Sequence, residues 1–113
     1  MEPQPVFLVP RPITADLDLQ DRPLDHTGNV TTTSAERVPA NKMRTTLWLI
    51  NDSDTIIYLG IGRDAVLNQG IRLNANGGSL EINVYNLTKQ AIYAIHGGSG
   101  NKVLLALEIE SRY

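Results

Sequence analysis

The chain has two histidines, His26 and His96, and imidazole is the side chain best able to hold a metal or move a proton near neutral pH. A metal or catalytic site needs further ligands or acid–base partners close to the histidine. The nearby sequence offers only Asp25, which adjoins His26. We therefore interpret His26 as a residue of an extended arm and His96 as a residue at the end of a strand.

Acidic side chains could bind a cation or hydrolyse a glycoside, but each task needs a particular arrangement. Asp52, Asp54 and Asp64 lack the EF-hand loop pattern of a calcium site, and we interpret them as turn residues. Glycoside hydrolysis needs one carboxyl group in an apolar pocket. Three glutamates are instead predicted to point to solvent, and these are Glu81, Glu108 and Glu110. The sequence predicts no enzyme, no metal and no cofactor.

The segment GIGR at residues 60–63 is a fragment of a phosphate-binding loop. A complete loop of that kind opens a helix whose N-terminus binds the phosphate. Residues 64–69 are too few to form such a helix before Gly70. We interpret the segment as a strand that bends into a loop.

Trp48 and the four tyrosines could form a flat platform on which carbohydrate rings stack. In a small β domain, a single tryptophan more often fills the core or an interface. The exposure of Trp48 distinguishes these two interpretations.

The composition of the 113-residue chain changes near residue 42. All six prolines precede residue 40, whereas eight of the nine glycines lie at Gly60 or later. We predict an extended, proline-rich N-terminal arm over residues 1–42 and a folded domain over residues 43–113. Removal of the arm is expected to leave a folded domain that no longer binds its partner.

The charge and hydropathy patterns exclude several classes of partner. The formal net charge is −2 without a basic stripe, which disfavours nucleic acid. The absence of cysteine excludes a disulfide framework. No apolar run approaches the roughly 20 residues of a membrane-spanning helix, and we expect no signal peptide from the sequence of residues 1–12. We expect a soluble protein, made in the cytoplasm, with no nucleic-acid and no membrane partner.

The predicted arm contains two apolar patches. Its prolines oppose a helix, residues 6–9 form a continuous apolar run, and residues 13–19 alternate between apolar and polar. Such patches need a partner surface, either a sheet of the same chain or one of a neighbour. The candidate partner-binding residues are Val6, Phe7, Leu8, Val9, Ile13, Leu17 and Leu19.

From Arg44 onward, alternation of period two and recurring turn residues predict six strands. Their approximate ranges are residues 44–50, 55–61, 70–74, 79–85, 91–96 and 102–110. Leu47 and Leu49 share one face of the first strand and Trp48 lies on the other. No segment suits an amphipathic helix of two turns. The fold class is therefore all-β, a small antiparallel β-sandwich of jelly-roll type that oligomerisation would help to stabilise.

Short motifs follow one another in a distinctive order within residues 44–110. A strand ends at Asn51, and IYLG at residues 57–60, GIRL at residues 70–73, GGSL at residues 77–80 and YAI at residues 93–95 follow. This order resembles that of small virion proteins of tailed bacteriophages. The resemblance implies a β-sandwich that decorates or cements the head, or that lies in a tail or fibre attachment, with no catalytic residue.

The resemblance and the arm together lead us to expect a head decoration or cement subunit on the capsid surface of a virion. Its expected partners are the major capsid protein and other copies of itself, most naturally in a homotrimer. A subunit that binds only the assembled shell stabilises that shell by mass action. Two alternatives remain open: a tail or fibre-attachment subunit, and a carbohydrate-binding module in which Trp48 or Tyr58 stacks on sugar.

Overall fold

The structure is a computed structural model that describes residues 21–111. This part of the chain contains strands and turns but no helix. The strands are β1 (Asp21–Asp25), β2 (Gly28–Val30), β3 (Ala35–Val38), β4 (Arg44–Asn51), β5 (Ile57–Ile61), β6 (Ile71–Leu73), β7 (Ser79–Ile82), β8 (Ile92–His96) and β9 (Lys102–Ser111).

The strands form two antiparallel sheets packed against each other. The first sheet has the order β1-β9-β4-β7, and β2 also pairs with β9. The second sheet has the order β3-β8-β5-β6. The predicted all-β sandwich is confirmed, and the six strands predicted after residue 43 are present as β4 to β9.

The core lies between the two sheets and takes alternate side chains from each strand. In β4, Leu47 and Leu49 are fully buried, whereas Trp48 between them is 36% exposed. Each fully buried Leu, Ile or Val contributes about 1.5–3 kcal/mol relative to an exposed position. The core consists of Val30, Val38, Leu47, Leu49, Ile57, Leu59, Leu73, Ile82, Ile92, Ala94, Leu104 and Ala106.

Residues 21–42 belong to the sandwich, which corrects the predicted boundary near residue 42. β1 and β2 pair with β9, and β3 pairs with β8. Val30 and Val38 are core residues. Pro23 is compatible with β1 because that strand is at the edge of its sheet, where a missing backbone donor is tolerated. The candidate arm residues, up to Leu19, lie outside the described residues.

β9 directs its acidic residues toward the second sheet, and the prediction that Glu108 and Glu110 point to solvent is wrong. Ala106 pairs directly with the buried Leu49, so both share the inner face. Because side chains of a strand alternate with a period of two, Glu108 also points to the inner face, where it is fully buried. Glu110 points the same way and is 9% exposed. Both faces of β9 are rich in apolar residues, so alternation alone did not identify the inner one.

Asn51, the last residue of β4, organises the turn into β5. Its side-chain Nδ2 donates to the carbonyl oxygens of Thr55 (2.7 Å) and Leu73 (3.0 Å). Its Oδ1 accepts from the Ser53 hydroxyl at 2.6 Å. The residue is fully buried, so these groups take the place of water as the hydrogen-bond partners of its side-chain amide.

We predict that Asn51→Ala lowers the free energy of unfolding by about 2 kcal/mol, because two carbonyl groups lose their donor in a buried setting. Urea unfolding followed by circular dichroism measures the change. Asn74→Ala is the control, since its Oδ1 accepts an exposed bond from Arg72. Equal losses in the two variants would contradict the role assigned to Asn51.

Candidate functional site

Among the described residues, the side chains of His26, Arg44 and Glu108 form an ion-pair cluster. Arg44 lies in β4 and Glu108 in β9, and their side chains are 0% and 1% exposed. The guanidinium Nε of Arg44 donates to Oε2 of Glu108. The other carboxylate oxygen, Oε1, lies 2.9 Å from Nε2 of His26, whose side chain is 20% exposed.

The remaining donors of Arg44 bind backbone carbonyl oxygens. Nη1 donates to Thr88 and Gln90, each at 2.9 Å, and Nη2 donates to Pro39 at 2.8 Å. Arg44 therefore connects β4 to β9, to the loop before β8 and to the segment after β3. A planar guanidinium with several fixed donors suits this task better than a lysine ammonium.

A second ion pair extends the cluster toward solvent. Arg22 Nη2 and Nε donate to Oε2 of Glu110 at 2.6 Å and 3.1 Å, and Asn41 Nδ2 donates to Oε1 at 2.8 Å. The Arg22 side chain is 51% exposed. Both glutamates of β9 are thus paired with arginine. This pairing explains how two acidic residues occupy the inner face of a strand.

The ion-pair cluster has the properties of a structural element. Both carboxylate oxygens of Glu108 and the three terminal nitrogens of Arg44 are engaged in hydrogen bonds. Of the three side chains, His26 has the greatest contact with solvent. A general base needs a free oxygen within reach of a substrate proton, so the geometry favours stabilisation over catalysis. Sequence spacing could not reveal it, because 82 residues separate His26 from Glu108.

His96 is fully buried at the end of β8 and holds the loop that leads to β9. Its Nδ1 accepts from the Gly98 amide at 3.0 Å, so the ring proton lies on Nε2, which donates to the Gly100 carbonyl at 2.7 Å. Both ring nitrogens have backbone partners. His96 is thus a strand-end residue that stabilises the glycine-rich loop through two hydrogen bonds to its backbone.

Residues 21–111 contain no group of three or more His, Cys, Asp or Glu side chains placed to hold a metal ion. The same residues include no helix that could cross a membrane. Asp54 bonds Lys102 Nζ at 2.8 Å, and this bond, with one from the Thr55 hydroxyl, lowers the pKa of the Asp54 carboxyl group. Asp64 accepts from the Ser34 hydroxyl at 3.3 Å.

The GIGR segment ends β5 and turns into a loop. A Cβ atom at Gly60 would lie 2.5 Å from the carbonyl oxygen of Arg63, so only glycine allows the backbone to fold back this closely. Gly62 has a φ of +73°, in the left-handed region that favours glycine. No helix follows the segment within the described residues.

Trp48 and Tyr58 lie on different sheets and do not form a shared platform. Trp48 is in β4 of the first sheet, where its Nε1 donates to Glu81 Oε1 at 3.2 Å. Tyr58 is in β5 of the second sheet, where its hydroxyl donates to Asn68 Oδ1 at 2.9 Å. Trp48 is therefore outside the core of the sandwich.

The first sheet presents an apolar surface on the side away from the core, which we call the outer face. Its position follows from the register, since Trp48 pairs with Leu107 and Ile50 pairs with Leu105. Val103, Trp48 and Leu107 are 37%, 36% and 40% exposed. The outer face consists of Trp48, Ile50, Val103, Leu105, Leu107 and Ile109.

A shallow groove of about 420 Å³ crosses the outer face beside Trp48. Asp25 and Thr27 border it on one side, and Glu81 lies beyond Trp48 on the other. The Thr27 backbone amide donates to Asp25 Oδ1 at 2.9 Å, and this bond, with one from the Thr27 hydroxyl, lowers the pKa of Asp25. An apolar floor with acidic side chains at its border resembles the centre and rim of a protein interface.

The outer face was missed at the sequence level although its signal was present. Four apolar residues alternate along β9 from Val103 to Ile109, and Trp48 and Ile50 alternate with the core residues of β4. A strand that is apolar on both faces is normally covered on both sides. That pattern on two neighbouring strands predicts a second covered surface.

No protein-family model matches the chain, and no curated protein matches it.

Proposed function

We propose that this protein is a structural subunit that binds another protein through the outer face of its first sheet. The observation that carries the proposal is the open apolar surface made by Trp48, Ile50, Val103, Leu105, Leu107 and Ile109. Contiguous apolar surface of this kind marks an interaction site, because its removal from water is favourable. Tryptophan, here Trp48, is one of the residue types that most often dominate binding energy.

The ion-pair cluster supports the non-enzymatic part of the proposal. Its carboxylate is fully engaged by Arg44 and His26, and the groove on the outer face is lined mainly by apolar side chains. Both features suit a rigid scaffold that presents a contact surface.

The narrower form of the proposal is a head decoration or cement subunit of a bacteriophage, located on the capsid surface of the virion. It rests on the resemblance over residues 44–110, and the β-sandwich fold of those residues is compatible with it. The partners would be the major capsid protein and other copies of the chain, as a homotrimer. The apolar residues of segments 6–9 and 13–19 would add contacts with the shell.

A tail or fibre-attachment subunit is the alternative that uses the same surface. The carbohydrate-binding alternative rests on Trp48 alone, since Tyr58 lies on the other sheet. A glycan array on the wild type and on Trp48→Ala tests it. Loss of a reproducible glycan signal in the variant would favour sugar binding over protein binding.

The protein-binding proposal predicts that Leu107→Glu weakens docking at least tenfold, or by about 1.4 kcal/mol, because a carboxylate would enter an apolar contact. For the decoration-subunit form of the proposal, the measurement is co-sedimentation of the purified protein with shells assembled from a phage major capsid protein. Leu67→Glu is the matched control, because Leu67 is also 40% exposed but lies in a loop away from the first sheet.

Circular dichroism of both variants establishes that they are folded. Unchanged binding of Leu107→Glu would refute the role of the outer face. Cryo-electron microscopy of the native particles tests the location: density on the head supports a decoration subunit, and density at the tail or fibre supports the alternative.

A further inference from the structure

The outer face lies next to the strand from which the N-terminal segment departs. β1 begins at Asp21, pairs with β9 and forms the edge of the first sheet. Twenty residues precede it in the chain. The described part of the chain therefore begins at the border of the outer face.

The length of the preceding chain is sufficient to cross this surface. Residues 10–20 separate Val9 from Asp21, and when extended they span about 36 Å. The strand β4 is two strand spacings from β1, or about 10 Å. The groove lies near Leu107 and Leu105, which are four and six residues along β9 from Ser111, the partner of Asp21, or about 14–20 Å.

The chemistry of residues 6–11 complements that of the outer face. Val6, Phe7, Leu8 and Val9 form a continuous apolar run that includes the single phenylalanine, and Arg11 follows two residues later. The groove has an apolar floor and the ionised carboxylate of Asp25 at its border.

A second copy of the domain is a poorer occupant than this segment. Two outer faces packed together would bring the border carboxylates Asp25 and Glu81 of both copies into one interface. The register places no Lys or Arg among the described residues on this face, so these charges would lack a counter-ion. Like charges held close in an interface oppose association.

We propose that residues 6–11 lie across the outer face of the first sheet in the same molecule and cover the groove beside Trp48. The apolar run contacts Trp48 and Leu107, and Arg11 lies near Asp25. The inference concerns the free protein and does not depend on the proposed function. A docking partner that uses the outer face must displace this segment.

The absence of cysteine in the chain allows a direct test by disulfide formation. Phe7→Cys and Leu8→Cys are each combined with Leu107→Cys in the full chain, because adjacent residues of an extended segment point in opposite directions. Each protein is oxidised with oxidised glutathione at low concentration and examined on a non-reducing gel. At least one pair should form a disulfide within the monomer, since the bond needs Cβ atoms about 4 Å apart.

Pairing the same two substitutions with Leu67→Cys provides the control, because Leu67 has the same exposure but lies away from the outer face. Those pairs should remain unlinked. Cross-linked dimers, or equal cross-linking to Leu67→Cys and Leu107→Cys, would overturn the proposal.

Trp48, the single tryptophan, gives a second readout without cysteines. In the full chain, Phe7→Asp/Leu8→Asp should shift its fluorescence to the red and increase quenching by acrylamide. Ile13→Asp/Leu17→Asp, in the other apolar segment, should leave the fluorescence unchanged. The reverse result, or no change in either variant, would contradict coverage by residues 6–11.

Discussion

Arg44→Met is expected to lower the free energy of unfolding by about 4 kcal/mol, because it leaves the fully buried carboxylate of Glu108 without its main counter-charge. It also removes the donors for three backbone carbonyl groups. In a domain of this size the midpoint of thermal unfolding should fall by roughly 20 °C. Urea unfolding and calorimetry measure the two quantities.

Arg22→Met is the matched control for this substitution. Arg22 pairs with Glu110 in the same strand, but its side chain is 51% exposed. The loss should be smaller, about 1 kcal/mol, because water can reach the half-exposed side of this ion pair and Asn41 Nδ2 still donates to Glu110. Similar losses in Arg22→Met and Arg44→Met would contradict the importance assigned to burial.

A double-mutant cycle isolates the Arg44–Glu108 interaction. Glu108→Leu alone leaves a buried guanidinium without its carboxylate. The double variant Arg44→Met/Glu108→Leu removes both charges and should be less destabilised than the sum of the single variants by roughly 2 kcal/mol. Additive losses would show that the two side chains stabilise the fold independently.

Deletion of residues 2–42 is expected to abolish cooperative folding, whereas deletion of residues 2–20 should preserve it. The longer deletion removes β1, β2 and β3. It takes Val30 and Val38 from the core and exposes the edges of β8 and β9. The loss of two buried valines alone is about 3–6 kcal/mol, comparable to the whole stability of a small domain.

Thermal unfolding and two-dimensional NMR spectra of both deletions test this prediction. The shorter deletion should give dispersed amide resonances and a cooperative transition, because every strand found within residues 21–111 is retained. The longer one should give collapsed resonances and no transition. A well-dispersed spectrum from residues 43–113 alone would restore the boundary that the composition predicted.

The two deletions also matter for any binding experiment. Loss of binding after removal of residues 2–42 would reflect unfolding, so it could not identify an arm contact. Removal of residues 2–20 keeps the domain intact and confines the change to the segments that contain Val6, Phe7, Leu8 and Val9. The shorter deletion is therefore the appropriate test of the arm.

The arrangement of β9 illustrates why local patterns identify a strand but not its environment. Alternation in residues 102–110 predicted an extended segment, and β9 spans Lys102–Ser111. The pattern showed apolar residues on both faces of β9, and the face that carries Glu108 and Glu110 was predicted to point to solvent. The inner face was selected by pairing with β4, where Leu49 lies opposite Ala106, and Arg44 supplies the charge that makes Glu108 tolerable there.

The sequence by itself determined the all-β class, the six strands from β4 to β9 and the turns between them, because these depend on alternation and turn residues over a few positions. The tertiary structure decided three other features. It joined β1, β2 and β3 to the sheets, buried Glu108 against Arg44 and His26, and left Trp48 on the outer face. Each depends on strand order and register between residues far apart in the chain, and no local pattern contains that information.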